Sequence, residues 1–115
     1  MPASPPSSPR TARVRVATFN IHHGANSRNV LDLDATAYAL ESLEADVIGL
    51  QEVDRFFGTR SDFVDQAAWL ADRLHMHAQF APTIDLEPSR RSAERVGLST
   101  RRQYGIAVLS SYPIV

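Results

Sequence analysis

Two polar residues, each closing an apolar run, carry the clearest chemistry this sequence can offer. Glu52 follows VIGLQ directly, and a carboxylate there is costly inside a sheet unless it reaches solvent or a cation. At a strand end it can do either. A hard divalent ion such as Mg²⁺ takes carboxylate and water oxygens and often bridges to a substrate phosphate; the alternative is an ordinary strand-end acid. Asn20 closes VRVATFN and can turn its amide oxygen to a metal shell or its NH₂ to a phosphate oxygen. It can also simply cap a turn. Gln51, if the strand is regular, points to the opposite face from Glu52 and offers hydrogen-bonding support.

His22 and His23 invite a zinc reading, but adjacent histidines do not project in one direction and no third ligand has convincing spacing. A turn or substrate-side role suits them better, and with Arg55 they form the substrate-side candidates. His75 and His77 read as surface or partly buried histidines. Arg90, Arg91, Arg95, Arg101 and Arg102 can hold phosphate through charged forked hydrogen bonds, or form a solvated stretch balanced by Asp85, Glu87 and Glu94. Aromatics are not interleaved with them, so the stacking platform of a single-strand binder is missing. Ser99, Ser110 and Ser111 have no His/Asp relay nearby, which argues against a serine nucleophile.

The elements that must position these residues follow from periodicity. Val14 to Ile21 alternates as a strand, with a loop beginning at His22. Asp32 or Asp34 caps a helix running to about Ala45, striped by Leu33, Ala37, Leu40 and Leu43. Val47 to Val53 reads as a buried strand turning polar at its end. Strand, helix, strand over this distance makes a right-handed crossover between parallel neighbours. That places Asn20 and Glu52 at one sheet edge, beyond the carboxyl ends of the strands, where ligands of α/β folds gather. Asp62 is the expected cap of a second helix, Phe63 to Leu74. A strand follows over Met76 to Ala81, and Pro82 makes its continuation in mid-sheet unfavourable. Asp85 to Arg102 reads as a long surface loop, and Tyr104 to Ser110 as a strand.

Composition sets the outer bounds. The chain of 115 residues, 43% hydrophobic and 22% charged, has material for one modest core. Its formal charge of -1 gives no long-range pull toward nucleic acid or an anionic membrane. Without cysteine, disulfide, thiol and thiolate–metal chemistry are excluded. Residues 1–13 read as a disordered Pro/Ser/Arg leader without the apolar core of a secretory signal, and residues 14–115 as the folded domain. No run approaches the length of a spanning helix, and the expected location is cytoplasmic. All twelve basic residues are Arg, a bias that indicates no site.

Taken together, RVATFNIHHG, ADVIGLQEVDR and QYGIAVLSSYPI resemble, in order and separation, the endonuclease/exonuclease/phosphatase superfamily with the DNase I-like fold. The resemblance spans residues 14 to 115. It implies a four-layer α/β sandwich with helices outside both sheets. The later Asp-x-Asn segment and terminal Asp-His pair of that family have no counterpart before Val115. The expected fold is therefore a partial sandwich, an N-terminal portion with the C-terminal half absent. Ile106 stands where Asn is common and Ser111 where Arg is common.

By this resemblance Asn20 and Glu52 are the catalytic and metal-site residues, the cofactor is Mg²⁺ or Mn²⁺, and water attacks a phosphomonoester or phosphodiester. Family substrates include DNA, inositol phosphates and phospholipids, and the fold does not choose among them. Nucleic acid is not indicated by charge. Turnover is assigned to a longer parent, with the missing half or a completing partner as an expected associate. The alternatives are a non-enzymatic interaction module and one half of a split enzyme.

Overall fold

In a computed structural model, residues 13–115 are described; the expected leader lies outside them but for its last residue. Strand β1 (Val16–Asn20) leads through a 3₁₀ turn, His22–Gly24, to helix α1 (Leu33–Ser42), then to strand β2 (Val47–Arg55). After a second 3₁₀ turn, Thr59–Ser61, come helix α2 (Gln66–Leu74), strand β3 (His77–Leu86), helix α3 (Arg90–Val96) and strand β4 (Arg102–Ser110). The strands form one mixed sheet in the order β1-β2-β4-β3. β1 and β2 are parallel, as the crossover argument requires, with Val16 opposite Val47 and Asn20 opposite Gln51. β4 runs antiparallel to β2 and β3.

The core lies between one face of this sheet and helices α1 and α2. Ile48, Leu50 and Val53 of β2 and Ala107 and Leu109 of β4 are buried against Leu33, Ala37 and Leu40 of α1 and Ala67, Leu70 and Ala71 of α2. Alternation then sends Val16, Ile106 and Val108 to the opposite, exposed face. Helix α1 starts where expected, with the Asp32 carboxylate accepting from Ala35 N at 3.1 Å.

Four sequence expectations are corrected. Helix α2 starts at Gln66, capped by Asp65 through Ala68 N, because Asp62 and Phe63 both hold left-handed backbone and cannot open a helix. Strand β3 runs through Pro82 to Leu86. Among the described residues it pairs only with β4, and proline is tolerated on such an edge, here at a register shift between Pro82 and Ile84. The stretch from Asp85 to Arg102 is not one long loop. It contains α3, started by a capping box in which Ser89 and Ser92 exchange side-chain and backbone hydrogen bonds. β2, finally, is not a regular strand, which relocates Gln51 and Glu52 as described below. No helix among the described residues is long and apolar enough to cross a membrane.

Candidate functional site

The irregularity in β2 builds the site. Between Leu50, opposite Ala107, and Val53, opposite Gly105, β2 carries one residue more than β4. In a regular strand Glu52 would follow Leu50 onto the core face. The bulge absorbs the extra residue, returns Val53 to the core, and leaves Glu52 at a left-handed φ of 56°. Gln51 faces away from the core and donates from Nε2 to Thr18 Oγ1 at 2.8 Å, tying β2 to β1.

Asn20, at the end of β1, donates from Nδ2 to Glu52 Oε2. Its Oδ1 accepts from His22 N at 2.8 Å, so a single amide holds the carboxylate on one side and the histidine turn on the other. His22 and His23 both have positive φ, and their ring centroids lie 4.5 Å apart. Gly24 completes the turn at φ +76°; a Cβ there would stand 2.7 Å from Gln66 Nε2 and 2.8 Å from Leu33 Cδ2. Glycine is required because Gln66 passes directly beneath the loop to donate to His23 O at 2.7 Å.

Gln66 is fully buried and also accepts from Asp54 N, at 3.0 Å. Asp54 has no exposed surface. Its carboxylate accepts from Ser61 Oγ at 2.7 Å and from Arg60 through Nε at 2.9 Å and Nη2 at 2.8 Å. Buried polar groups are thereby satisfied along a chain joining β2, both 3₁₀ turns and the first turn of α2. The Arg60 guanidinium in turn lies over the Phe57 ring at 4.6 Å and the Tyr104 ring at 5.5 Å.

His22, His23, Glu52, Phe57, Arg60, Ile84 and Tyr104 line an open cleft of about 350 Å³. Burial lowers the His23 imidazole below its ordinary value and the Arg60 charge adds to the effect; His23 Nδ1 is buried without a partner. Partial burial, and then the Glu52 charge, raise the Tyr104 phenol. The hydrogen bond to Asp54 raises Arg60 further.

Of the five candidate residues, Asn20 and Glu52 meet directly, and His22 and His23 stand beside them. Arg55 does not join them: it bonds Asp65 Oδ2 at 3.2 Å and Gln103 Oε1 at 3.1 Å, and lines a different cleft. In the arginine-rich stretch three side chains pair with acids, Arg90 with Glu94, Arg95 with Asp62 and Arg101 with Asp85 and Glu87, and Arg102 donates to the Glu87 carbonyl. Sequence reasoning missed Asp54, Arg60, Gln66 and Tyr104. Gln66 left a signal, since it precedes Leu70 and Leu74 at spacings of four and so falls on the buried stripe of α2. Arg60 left none, because its position depends on the 3₁₀ turn at Thr59–Ser61.

Residues 17–115 match the Endonuclease/Exonuclease/phosphatase family. No curated protein matches the chain significantly. A solved structure, that of the endonuclease/exonuclease/phosphatase from Beutenbergia cavernae DSM 12333, is similar with a TM-score of 0.65 and 28% identity. The similarity covers 89% of this chain and 27% of that one, so the chain spans about a quarter of that protein's length.

These matches correct the expectation that the resemblance is confined to an N-terminal portion and the fold to a sandwich lacking its C-terminal half. The correspondence with a DNase I-like four-layer α/β sandwich runs through almost the whole chain, and the described residues contribute to it the four-stranded sheet and its helices. The expectations that rested on that premise, turnover withheld from an incomplete piece, a completing partner, a split enzyme and a non-enzymatic remnant, lose that support, because the family match extends over residues 17–115. The family is one of hydrolases associated with metal-dependent phosphoester chemistry. The chain belongs to the endonuclease/exonuclease/phosphatase family.

Proposed function

We propose that this chain takes part in metal-dependent hydrolysis of a phosphate ester, with Glu52 as the metal-holding carboxylate and Asn20 as the residue that fixes it. The observation carrying this reading is the bulge. It places an acid that would otherwise face the core at the mouth of a cleft, in a left-handed conformation, held by a side chain from the neighbouring strand. Backbone held in a sparsely populated region costs about 1–3 kcal/mol and collects at functional sites.

The donor set fits Mg²⁺ or Mn²⁺. Among the described residues, no group of three or more His, Cys, Asp or Glu surrounds a common point. The site therefore offers one carboxylate, with the Asn20 amide bonded to it and the Arg60 guanidinium in the same cleft. Mg²⁺ is commonly bound in this way, keeping several waters and using one or two carboxylates together with substrate phosphate. Such a metal, when bound, stabilises charge on the phosphate and leaving oxygens.

The chain's own residues hold and orient. Glu52 supplies the anionic oxygens. Asn20 Nδ2 restricts the carboxylate, while Asn20 Oδ1 anchors the histidine turn. His22 and His23 form the substrate side of the cleft, and the lowered basicity of His23 keeps its ring neutral at neutral pH. In the reaction the water oxygen bonds to phosphorus, the ester P–O bond breaks, and the departing alkoxide takes a proton.

The test is Mn²⁺ titration of the assigned amide NMR spectrum, paired with hydrolysis of p-nitrophenyl phosphate and bis(p-nitrophenyl) phosphate. Paramagnetic broadening should centre on Asn20 and Glu52. Glu52→Gln removes charge with little change in size and should abolish both the focus and the turnover. Unchanged broadening and hydrolysis in Glu52→Gln would remove Glu52 from the metal site.

A further inference from the structure

We propose that Arg60 is the anion-binding group of this cleft, its free guanidinium edge receiving a non-bridging oxygen of the phosphate whose ester bond is cleaved. The inference rests on the phosphoesterase reading and adds to it the residue that grips the substrate.

A guanidinium carries five N–H donors in a fixed fork. Asp54 takes two of the three nitrogens of Arg60, Nε and Nη2. Nη1 makes no hydrogen bond among the described residues, and the side chain is 41% exposed. The plane of the group is set from two directions. Asp54, immobile because it is buried and bonded also by Ser61, fixes one edge. The Phe57 and Tyr104 rings, 6.0 Å apart, support the guanidinium face. Arg60 is part of the lining of the cleft that also holds Glu52 and the two histidines.

A simpler role, neutralising the buried Asp54 charge, explains the two bonds to that carboxylate. It does not explain why the guanidinium lies over two rings, nor why Arg60 lines the cleft of Glu52. The other arginines with acid partners cannot substitute. Arg15, Arg55, Arg73, Arg90, Arg95 and Arg101 pair with Glu44, Asp65, Glu41, Glu94, Asp62 and the Asp85/Glu87 pair, and none of them lines this cleft.

The chemistry suits a phosphate ester. An oxygen drawn to a cation at Glu52 leaves other non-bridging oxygens on the same phosphorus, and a prearranged guanidinium can take one of them by a charge-assisted hydrogen bond. Such a donor is worth more as charge develops on those oxygens, because it needs no reorganisation during the reaction.

The experiment is titration of the whole chain with inorganic phosphate, with and without Mg²⁺, followed by amide and ³¹P NMR. It is repeated on Arg60→Ala and Arg60→Lys, with KM for p-nitrophenyl phosphate measured alongside. Phosphate should shift resonances around Arg60 and Glu52. Arg60→Ala should weaken its binding by about 10- to 100-fold, and millimolar guanidinium chloride should restore part of it, which a merely structural arginine would not allow. Arg60→Lys should recover little, since a point charge does not reproduce the fork.

A folded Arg60→Ala with wild-type phosphate affinity and KM overturns the proposal. Should Arg60→Ala unfold, wild-type affinity in Arg60→Lys does the same. The two readings separate cleanly. Phosphate bound at Arg60 without hydrolysis of any ester removes the hydrolase reading and keeps this one, whereas hydrolysis with KM indifferent to Arg60 does the reverse.

Discussion

Asn20 and Glu52, separated by 32 positions in the chain, are joined by a direct hydrogen bond from the Asn20 amide to the Glu52 carboxylate. The bond depends on two features acting together. The parallel register sets Asn20 opposite Gln51, and the bulge then turns the next residue toward it. Neither would suffice alone, because a regular β2 would direct Glu52 into the core.

The first prediction concerns that bond. Asn20→Ala leaves the carboxylate in place but unrestrained, and loss of such an outer partner typically weakens metal binding by about 10- to 100-fold. Mn²⁺ affinity read from paramagnetic relaxation should fall by at least tenfold. An affinity equal to wild type would mean that Glu52 is oriented without Asn20.

A second prediction concerns backbone strain. With φ at 56°, position 52 suits glycine better than any L-residue with a side chain. Comparing Glu52→Gly with Glu52→Ala removes the carboxylate from both sides of the comparison. The glycine variant should be more stable by about 1 kcal/mol, which for a domain of this size is roughly 4–8 °C in melting temperature. Equal melting points would argue against the left-handed conformation.

How much of this arrangement the sequence conveyed differs by element. The βαβ crossover was legible, because alternation in VRVATFNI and the stripe of Leu33, Ala37 and Leu40 are strong local signals. So was the placement of Asn20 and Glu52 at one sheet edge, since parallel strands bring their carboxyl ends together. The bulge was not. Nothing in VIGLQEV announces an extra residue, because bulges are decided by pairing with a strand some fifty positions later. Pro82 misled for the complementary reason: a proline ends a central strand but not an edge strand, and edge status is a property of the whole sheet. The Asp54–Arg60 pair stayed hidden because left-handed Asp62 and Phe63 postpone the helix expected there.

The third prediction is a pH dependence. Burial and Arg60 depress His23 below the ordinary 6.5, so the unfolded chain binds this proton more readily than the folded one. Stability from His23 is therefore complete above about pH 6.5 and is lost as pH falls from there toward the folded-state value. Urea midpoints measured between pH 7.5 and 5.5 should drop more for wild type than for His23→Gln. Parallel curves would exclude His23 as the responsible group.

A fourth prediction tests strand packing at Gly105. A Cβ there would lie 2.1 Å from Ala81 O and 2.9 Å from Pro82 Cα, backbone atoms that cannot swing aside. Gly105→Ala should cost about 3 kcal/mol by overpacking, visible in chemical denaturation. A loss below about 1 kcal/mol would show that β3 can withdraw from β4 without penalty.

Gly105 also gives the sheet a shape. It pairs with Val53 on one side and with Pro82 on the other, and each of those residues adjoins a register break, so both irregularities fall on one line drawn across three strands. Register shifts of this kind interrupt the regular pleat, so along this line the sheet departs from even pairing. Near the line, Glu52 on β2, Tyr104 on β4 and Ile84 on β3 reach the common cleft, and His22, His23, Phe57 and Arg60 close it from the turns beyond the strands. The cleft is thus shared between sheet and turns, with three lining residues from the strands and four from the segments around them. A variant that restored regular pairing in β2 would turn Glu52 from the cleft into the core.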